Sequence, residues 1–301
     1  MIKKTIFKAF NVLGYNIVHT NKKGKVTQHQ VLGIMVDANK HDFLVKGKDM
    51  LQQLANKKGA VLNIDSNDVV TIKFQAFHFF INTWEEILIL HEVFIEGMYN
   101  YNTSKDYLLI DVGMNVGITS IFHSNNSNCK EIVSFEPFAA TIELAKKNFA
   151  MNSSSSKITP VNTGLGYPAR TLQINYSAEY KGSVGINGIA DYVKEENDIT
   201  DTAVLEIDDV DEQLRPILTE NRQLQKVMKI DAEGVEYEII ERLAATGLLR
   251  EIDFLMIEWH VKGPNALTEI LLKQGFYLMS FNSLDKSIGM VYAFNGNGLL
   301  A

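Results

Sequence analysis

The sequence predicts an α/β fold: a mostly parallel sheet, covered by helices on both faces, that ends in an antiparallel hairpin. From about residue 106 onward, apolar stretches typical of buried strands alternate with amphipathic stretches typical of helices. This alternation produces βαβ units and therefore a parallel sheet. The last two apolar stretches, 276–281 and 288–294, are instead joined by a short polar turn, which predicts a hairpin.

The parallel part is predicted to contain five strands and four helices. The strands are residues 107–111, 132–136, 158–162, 227–231 and 254–258. The helices begin near Asn115, Phe138, Gly234 and Pro264.

Residues 1–82 are predicted to form a small α+β accessory region, and residues 83–301 the main domain. Short apolar runs and turn clusters fill most of the first part. Thr83 and Glu86 have the spacing of a capping box, which predicts the start of a helix. The strand and helix alternation weakens at about 164–205, and we expect this insertion to cover an active site as a lid or substrate wall.

Composition argues against several classes of protein. The net charge of −7 is unsuited to a nucleic-acid binder, which needs a basic surface. Cys129 is the single cysteine, so an internal disulfide and a cysteine-based metal cluster are excluded. No stretch approaches the roughly 20 apolar residues that span a bilayer. These features predict a cytoplasmic protein.

The N-terminus differs in charge from the rest of the chain. Residues 1–36 contain six lysines and no acidic residue. Residues 2–13 place apolar side chains near one helical face, which predicts a short basic amphipathic helix. We expect this helix to dock on its own domain. The alternative is weak attachment of residues 1–25 to the anionic inner face of a membrane.

Four predicted strands end in an acidic residue: Asp111, Glu136, Asp231 and Glu258. In an open α/β sheet, ligands bind outside the carboxyl ends of the strands. These four side chains are therefore candidates for binding or catalysis on position alone.

The first of these strands leads into a loop that contains glycines. Gly113 and Gly117 would let the backbone approach a ligand closely, and Asp111 supplies a negative charge suited to an ammonium group. The spacing lacks the G-x-G-x-x-G pattern of dinucleotide sites. S-adenosylmethionine (SAM) carries an ammonium group, so the loop favours SAM. The alternative is a tight turn that binds no ligand.

Glu136 ends the second strand. An acid at this position can accept hydrogen bonds from both ribose hydroxyls of an adenosine, in SAM and NAD sites alike. The alternative is an exposed acid at the start of a helix, where the helix dipole favours negative charge.

The fourth strand ends in the sequence KIDAEG at 229–234. Strand alternation places Lys229 and Asp231 on the same side, with Glu233 just past the strand end. Two carboxylates near a sulfonium could position an acceptor and raise one another's pKa, which would make one a general base. The alternative is that a helix N-terminus simply favours acids here.

The fifth strand places Glu258 and His260 on one face. His260 is the first choice for the base, because the ordinary pKa of histidine is near 6.5. Asp231, Glu258 and His260 could also bind a divalent cation, although we expect no metal. A histidine with a purely structural hydrogen bond is the other alternative.

Four motifs in this order resemble those of the FkbM-type methyltransferases. They are IDVGMNVGI at 110–118, SFEP at 134–137, KIDAEG at 229–234 and IEWH at 257–260. The resemblance covers roughly residues 85–294 and includes EVFIEGMY at 92–99. It implies a Rossmann-like class I methyltransferase fold, SAM as cofactor and, commonly, O-methylation of a hydroxyl on a sugar or polyketide-type acceptor.

Carried over by position, the resemblance assigns cofactor binding to Asp111, Gly113, Asn115, Gly117 and Glu136. Met114 stands where the family usually has a small residue, and a side chain turned away from the ligand would accommodate it.

The predicted partner is a small-molecule or glycan acceptor, which the sequence does not identify. Two other functions stay open: an NAD-dependent oxidoreductase, and a binding module without catalysis.

Overall fold

The computed structural model describes residues 27–176, 184–185, 188–189, 201–260, 262–282 and 288–296. The basic amphipathic helix predicted at 2–13 lies outside these residues. In the part of the chain that is described, no helix combines the length and the apolar character needed to cross a bilayer.

The accessory region consists of two small antiparallel sheets and two helices. A hairpin pairs β1 with β2, and β3, β4 and β5 form a three-stranded sheet. The sequence predicts the strand β4 but neither helix. The elements are β1 (Gln28–Val31), β2 (Ile34–Asp37), α1 (Ala38–Lys46), α2 (Lys48–Lys58), β3 (Val61–Ile64), β4 (Val70–Phe74) and β5 (Phe77–Phe80).

The main domain begins with a helix and then alternates strands with helices. Its first half contains α3 (Trp84–His91), β6 (Tyr107–Val112), α4 (Ile118–Ser124), β7 (Cys129–Phe135), α5 (Ala139–Met151), β8 (Ile158–Val161), β9 (Gly164–Gly166), β10 (Arg170–Tyr176), β11 (Val184–Gly185) and β12 (Gly188–Ile189). Its second half contains β13 (Asp201–Asp209), α6 (Val210–Glu220), β14 (Gln225–Ile230), α7 (Glu236–Thr246), β15 (Phe254–His260), α8 (Asn265–Lys273), β16 (Phe276–Asn282) and β17 (Ile288–Asn295).

Seven strands form the central sheet in the order β16-β17-β15-β14-β6-β7-β8. The five strands from β15 to β8 are parallel, whereas β17 is antiparallel to both of its neighbours. This arrangement confirms the predicted fold class and the terminal hairpin. Because β14 lies beside β6, Lys229 is in register with Asp111, and this pairing determines much of the site described below.

Both faces of the central sheet are buried. Leu109 and Met256 face a core shared with the accessory region, whereas Ile110 and Ile257 face a second core formed with the helices α6, α7 and α8. Strands covered on both faces are apolar at nearly every position. This is why the strands are readily predicted from the sequence.

The helix α3 begins with the predicted capping box. The Thr83 side chain accepts from the Glu86 backbone N–H, and the Glu86 carboxylate accepts from the Thr83 backbone N–H, both at 3.3 Å. The helix continues as a π-helical turn over Glu92–Glu96 and ends at Gly97, where φ is +72°. The wider turn carries the chain toward the ends of the central strands.

The accessory sheet is joined to the main domain through side-chain amides. The Asn152 amide accepts from the His78 backbone N–H at 3.1 Å and donates to the His78 carbonyl at 2.8 Å. Asn148 accepts from the Phe80 backbone N–H at 2.9 Å. The helix α5 thus bonds to the edge of β5, and a single apolar core runs across the predicted boundary at residue 82.

The predicted insertion forms a small sheet of its own. The strand β13 lies between β10 and β9, antiparallel to the first and parallel to the second. It continues to Asp209, beyond the predicted limit of 205, and leads directly into α6.

Candidate active site

A cavity opens at the carboxyl ends of β6, β7 and β14. It contains about 710 Å³ of empty space, including solvent space at its mouth. The inserted sheet forms one wall through Leu165, Leu172 and Ile207. The insertion therefore covers the site, as predicted.

Glu136 lies in this cavity and is held by two backbone groups. Its Oε2 accepts from the Asn115 N–H and its Oε1 from the Phe138 N–H, each at 3.0 Å. Each carboxylate oxygen can accept a second hydrogen bond, so the group can still receive two hydroxyls. Burial raises the pKa of Glu136 to about 7, against the lowering effect of the two N–H groups.

Asn115 also lines the cavity, in a left-handed conformation with φ of +51°. Its buried Oδ1 has no hydrogen-bond partner among the described residues. A buried acceptor of this kind normally has a partner, and a ligand N–H in the cavity would provide one.

The two glycines of the cofactor loop are required by protein neighbours. A Cβ on Gly113 would collide with the Asp231 carbonyl oxygen, and one on Gly117 would lie 2.5 Å from the Phe149 ring. The loop therefore packs directly on the end of β14. Met114 is 2% exposed and belongs to the apolar core, so its side chain is turned away from the cavity.

Asp111 is completely buried and does not line the cavity. Its Oδ2 accepts from the Ser120 hydroxyl at 2.5 Å, and its Oδ1 lies 3.3 Å from the Lys229 ammonium. The ammonium that Asp111 contacts in the structure is therefore that of a lysine. Burial raises the pKa of Asp111, although Lys229 and Ser120 act to lower it.

Lys229 connects this carboxylate to the loop. Its Nζ donates to the Gly113 carbonyl at 2.6 Å and lies 3.4 Å from the Asp231 carboxylate. Burial alone would lower the pKa of Lys229, but the charges of Asp231 and Asp111 outweigh it and raise the pKa. Lys229 is therefore a cation that holds the loop against β14.

Three predicted catalytic residues converge beyond the end of β14. The His260 Nε2 lies 4.0 Å from the Asp231 carboxylate and 3.9 Å from the Glu233 carboxylate. Asp231 and Glu233 line the cavity. Glu233 has a left-handed backbone with φ of +49°, and burial raises its pKa to about 8.

The imidazole of His260 is oriented by a carboxylate that contacts its Nδ1. The Glu236 Oε1 lies 3.3 Å from the His260 Nδ1 and accepts from its backbone N–H at 2.7 Å. Burial would lower the pKa of His260, but Glu236, Glu233 and Asp231 raise it to about 10. The pKa of His260 therefore lies above the ordinary histidine value near 6.5, because three carboxylates surround one imidazole.

Glu258 is not one of the residues placed to share a ligand with this group of three. Its carboxylate accepts from the Tyr99 hydroxyl at 2.5 Å. Burial raises the pKa of nearby Glu92 well above its ordinary value, and the charges of Glu258 and Asp231 add to this. The residues placed to share a cation are thus Asp231, Glu233 and His260, rather than the predicted set that included Glu258.

Sequence reasoning assigned no role to Glu92, Tyr99 or Glu236. The first two belong to EVFIEGMY at 92–99, which carried part of the family resemblance. The match to that motif is the sequence signal that could have identified Glu92 and Tyr99.

The family model described as the methyltransferase FkbM domain matches residues 111–278, just over half of the chain. The chain belongs to this family. The FkbM match begins at the cofactor loop and contains every predicted site residue.

This FkbM chain is 22% identical over 220 residues to "Methyltransferase sdnD" of Sordaria araneosa, an alignment that covers 66% of this chain and 85% of that protein. A solved FkbM methyltransferase from Methylobacillus flagellatus KT has 10% identity and a TM-score of 0.43, over 97% of this chain and 70% of that one. A putative tRNA (m1A22) methyltransferase of Streptococcus pneumoniae, solved with S-adenosyl-L-methionine, has 16% identity and a TM-score of 0.37, over 64% and 68%.

Proposed function

We propose that this FkbM-type methyltransferase uses SAM to methylate a hydroxyl group of a sugar, glycan or related natural-product acceptor. One observation carries the proposal. A single cavity holds Glu136 and Asn115, which suit a nucleoside and an amino-acid group, together with Asp231 and Glu233, which suit a hydroxyl. Cofactor and acceptor would therefore meet in one space.

The charge of the cavity supports a cationic cofactor. Among the described residues that line it, Glu136, Asp231 and Glu233 are acidic and none is basic. A low-dielectric cleft lined by one sign of charge attracts ligands of the opposite sign. The sulfonium and ammonium groups of SAM match this charge, whereas the anionic pyrophosphate of NAD does not.

Different residues of the cavity would bind different parts of SAM. Glu136 would accept from the ribose hydroxyls, and Phe138 and Ile207 supply an apolar wall for adenine. The free Oδ1 of Asn115 would accept from the ammonium group. Asp111 and Gly117 act by shaping the loop.

When bound, SAM supplies a methyl group on a sulfonium sulfur, which keeps the electron pair of the broken C–S bond as the acceptor oxygen forms the new C–O bond. The acceptor hydroxyl would lie against Asp231, Glu233 and His260. Because the raised pKa of His260 leaves its imidazole protonated, the proton would pass to a carboxylate of this group. Glu258 adds negative charge next to this group. Holding the oxygen in line with the methyl group supplies much of the rate.

Calorimetric titration with SAM and with NAD tests the cofactor. The wild-type chain should bind SAM and not NAD, and Glu136→Gln should weaken SAM binding about tenfold or more, equivalent to about 1.4 kcal/mol. Glu143→Gln, an exposed position on α5, is the matched control and should bind like wild type. Binding of NAD without SAM would favour an oxidoreductase and sink the proposal.

Labelled SAM tests the acceptor. The protein should transfer label to a hydroxyl in at least one pool of glycans or lipid-linked sugars. SAM binding without transfer to any hydroxylated acceptor would favour a binding module instead.

A further inference from the structure

Three potential metal ligands from two chain segments meet beside the cavity, and two of them, Asp231 and Glu233, line it. One ligand atom each from Asp231, Glu233 and His260 lies within 4.8 Å of the other two. Ligands of one cation at about 2.0 to 2.6 Å can be as much as about 4 to 5 Å apart across the ion. We infer that these three side chains form a divalent-cation site.

The support behind His260 is the independent observation. Glu236 is fully buried and holds both the ring Nδ1 and the backbone N–H of His260. The other ring nitrogen, Nε2, is then directed at Asp231 and Glu233. Metal-ligating histidines typically donate their second ring N–H to a carboxylate, which fixes the ring for the metal.

The charges around the three ligands also call for a cation. Asp231, Glu233 and Glu236 surround the single imidazole of His260. Lys229 reaches Asp231 but is shared with the buried Asp111. A divalent ion between Asp231 and Glu233 would replace the proton on His260 as the positive charge between these carboxylates and would be the largest local charge in the site.

The ligand chemistry indicates the type of ion. Carboxylates suit Mg²⁺, Ca²⁺ and Mn²⁺, and an imidazole suits transition-metal ions. Two carboxylates with one imidazole therefore favour Mn²⁺ or a similar first-row ion. Asp231 and Glu233 line the cavity, so an acceptor in the cavity could reach a cation held by them.

This inference rests on the proposed function and changes one step of it. A hydroxyl oxygen bound to the cation ionises more readily, and its proton passes to water. Asp231, Glu233 and His260 then act as ligands instead of taking up the proton. The C–O bond still forms as the C–S bond breaks.

Titration of the full chain with Mn²⁺, followed by electron paramagnetic resonance, tests the site. We expect one saturable Mn²⁺ per chain, with affinity reduced about tenfold or more in Asp231→Asn and in Glu233→Gln. Glu269→Gln is the matched control, because Glu269 is exposed on α8 and pairs only with Lys273 among the described residues. Its affinity should equal that of wild type.

A second measurement tests the histidine ligand directly in the wild-type protein. Pulsed resonance of the wild-type Mn²⁺ complex should show coupling to a nitrogen nucleus, and His260→Asn should abolish it. Absence of saturable binding, absence of nitrogen coupling, or affinity unchanged in both carboxylate variants would each overturn the site. SAM titration in chelator separates the two proposals: SAM binding without Mn²⁺ binding sinks the cation site alone, and absence of SAM binding sinks the proposed function.

Discussion

The Lys229 ammonium lies 3.3 Å from the Asp111 carboxylate, and the two side chains are 3% and 0% exposed. The pair joins the ends of two neighbouring parallel strands beneath the cofactor loop. Buried ion pairs of this kind contribute little net stability, but loss of one partner leaves a buried charge without compensation.

Replacing Lys229 by Met should strongly destabilise the fold. The Asp111 carboxylate would lose its cation in an apolar interior, and the free energy of unfolding should fall by about 3 to 5 kcal/mol. Urea denaturation measures the change. Lys273→Met, which removes an exposed lysine from a surface pair, should leave the midpoint unchanged. The double variant Asp111→Asn with Lys229→Met should recover much of the loss, and no recovery would contradict this account.

Replacing Gly113 by Ala should disrupt the loop far more than the same change at Gly247. Both glycines have positive φ, +77° and +79°, but a Cβ on Gly113 would collide with the Asp231 carbonyl while one on Gly247 meets nothing within 4 Å. Gly247→Ala should cost only the left-handed strain, about 1 kcal/mol. Gly113→Ala should cost more and also weaken SAM binding, as calorimetry would detect. Equal effects at both positions would show that the loop does not depend on this contact.

The affinity for SAM should fall at acidic pH. Burial raises the pKa of Glu136 to about 7 in the free protein, so below this pH the carboxyl is protonated and can accept fewer hydrogen bonds from ribose. The affinity should decrease by up to about tenfold for each pH unit below 7. Calorimetry across this range would measure it. Glu136→Gln should bind more weakly and lack this dependence, and any titration of SAM itself would persist in that variant.

His123 should make the fold sensitive to acid. Burial lowers its pKa to about 4, and its ring nitrogens bond to the Tyr107 hydroxyl and the Tyr99 carbonyl, both at 2.9 Å. The unfolded chain takes up a proton below about pH 6.5 and the folded chain only near pH 4, so stability is lost across this window. The contribution is about 3 kcal/mol. A glutamine amide can also donate one hydrogen bond and accept another. His123→Gln should therefore remove that part of the loss between pH 7 and pH 4 in urea denaturation.

Local sequence patterns are sufficient for the central sheet. Apolar residues on both faces of each strand, separated by amphipathic helices, predict β6, β7, β8, β14 and β15 to within a few residues. The helix α6 is not predicted, although it carries an N-cap at Asp209, and Pro216 lies within it. A proline inside a helical pattern normally indicates a break.

Contacts between distant segments are what the sequence alone does not provide. Asp111 and Lys229 each mark a strand end, but their pairing requires that β14 lie beside β6. The bond between Tyr99 and Glu258 spans 159 positions. From the sequence alone, Asp111 is predicted to bind a ligand. In the structure its partner is Lys229, which lies more than a hundred positions further along the chain.

The amides of Asn148 and Asn152, which bond to the edge of β5, bear on how this domain could be divided or exchanged. A chain trimmed to begin at residue 83 would remove the β5 N–H groups that the Oδ1 atoms of both amides accept from and would expose the apolar surface that the accessory sheet covers. Such a fragment would be a poor candidate for expression, and a recombination point at this boundary would be selected against. The accessory sheet and the catalytic domain should accordingly be inherited, and engineered, as one unit.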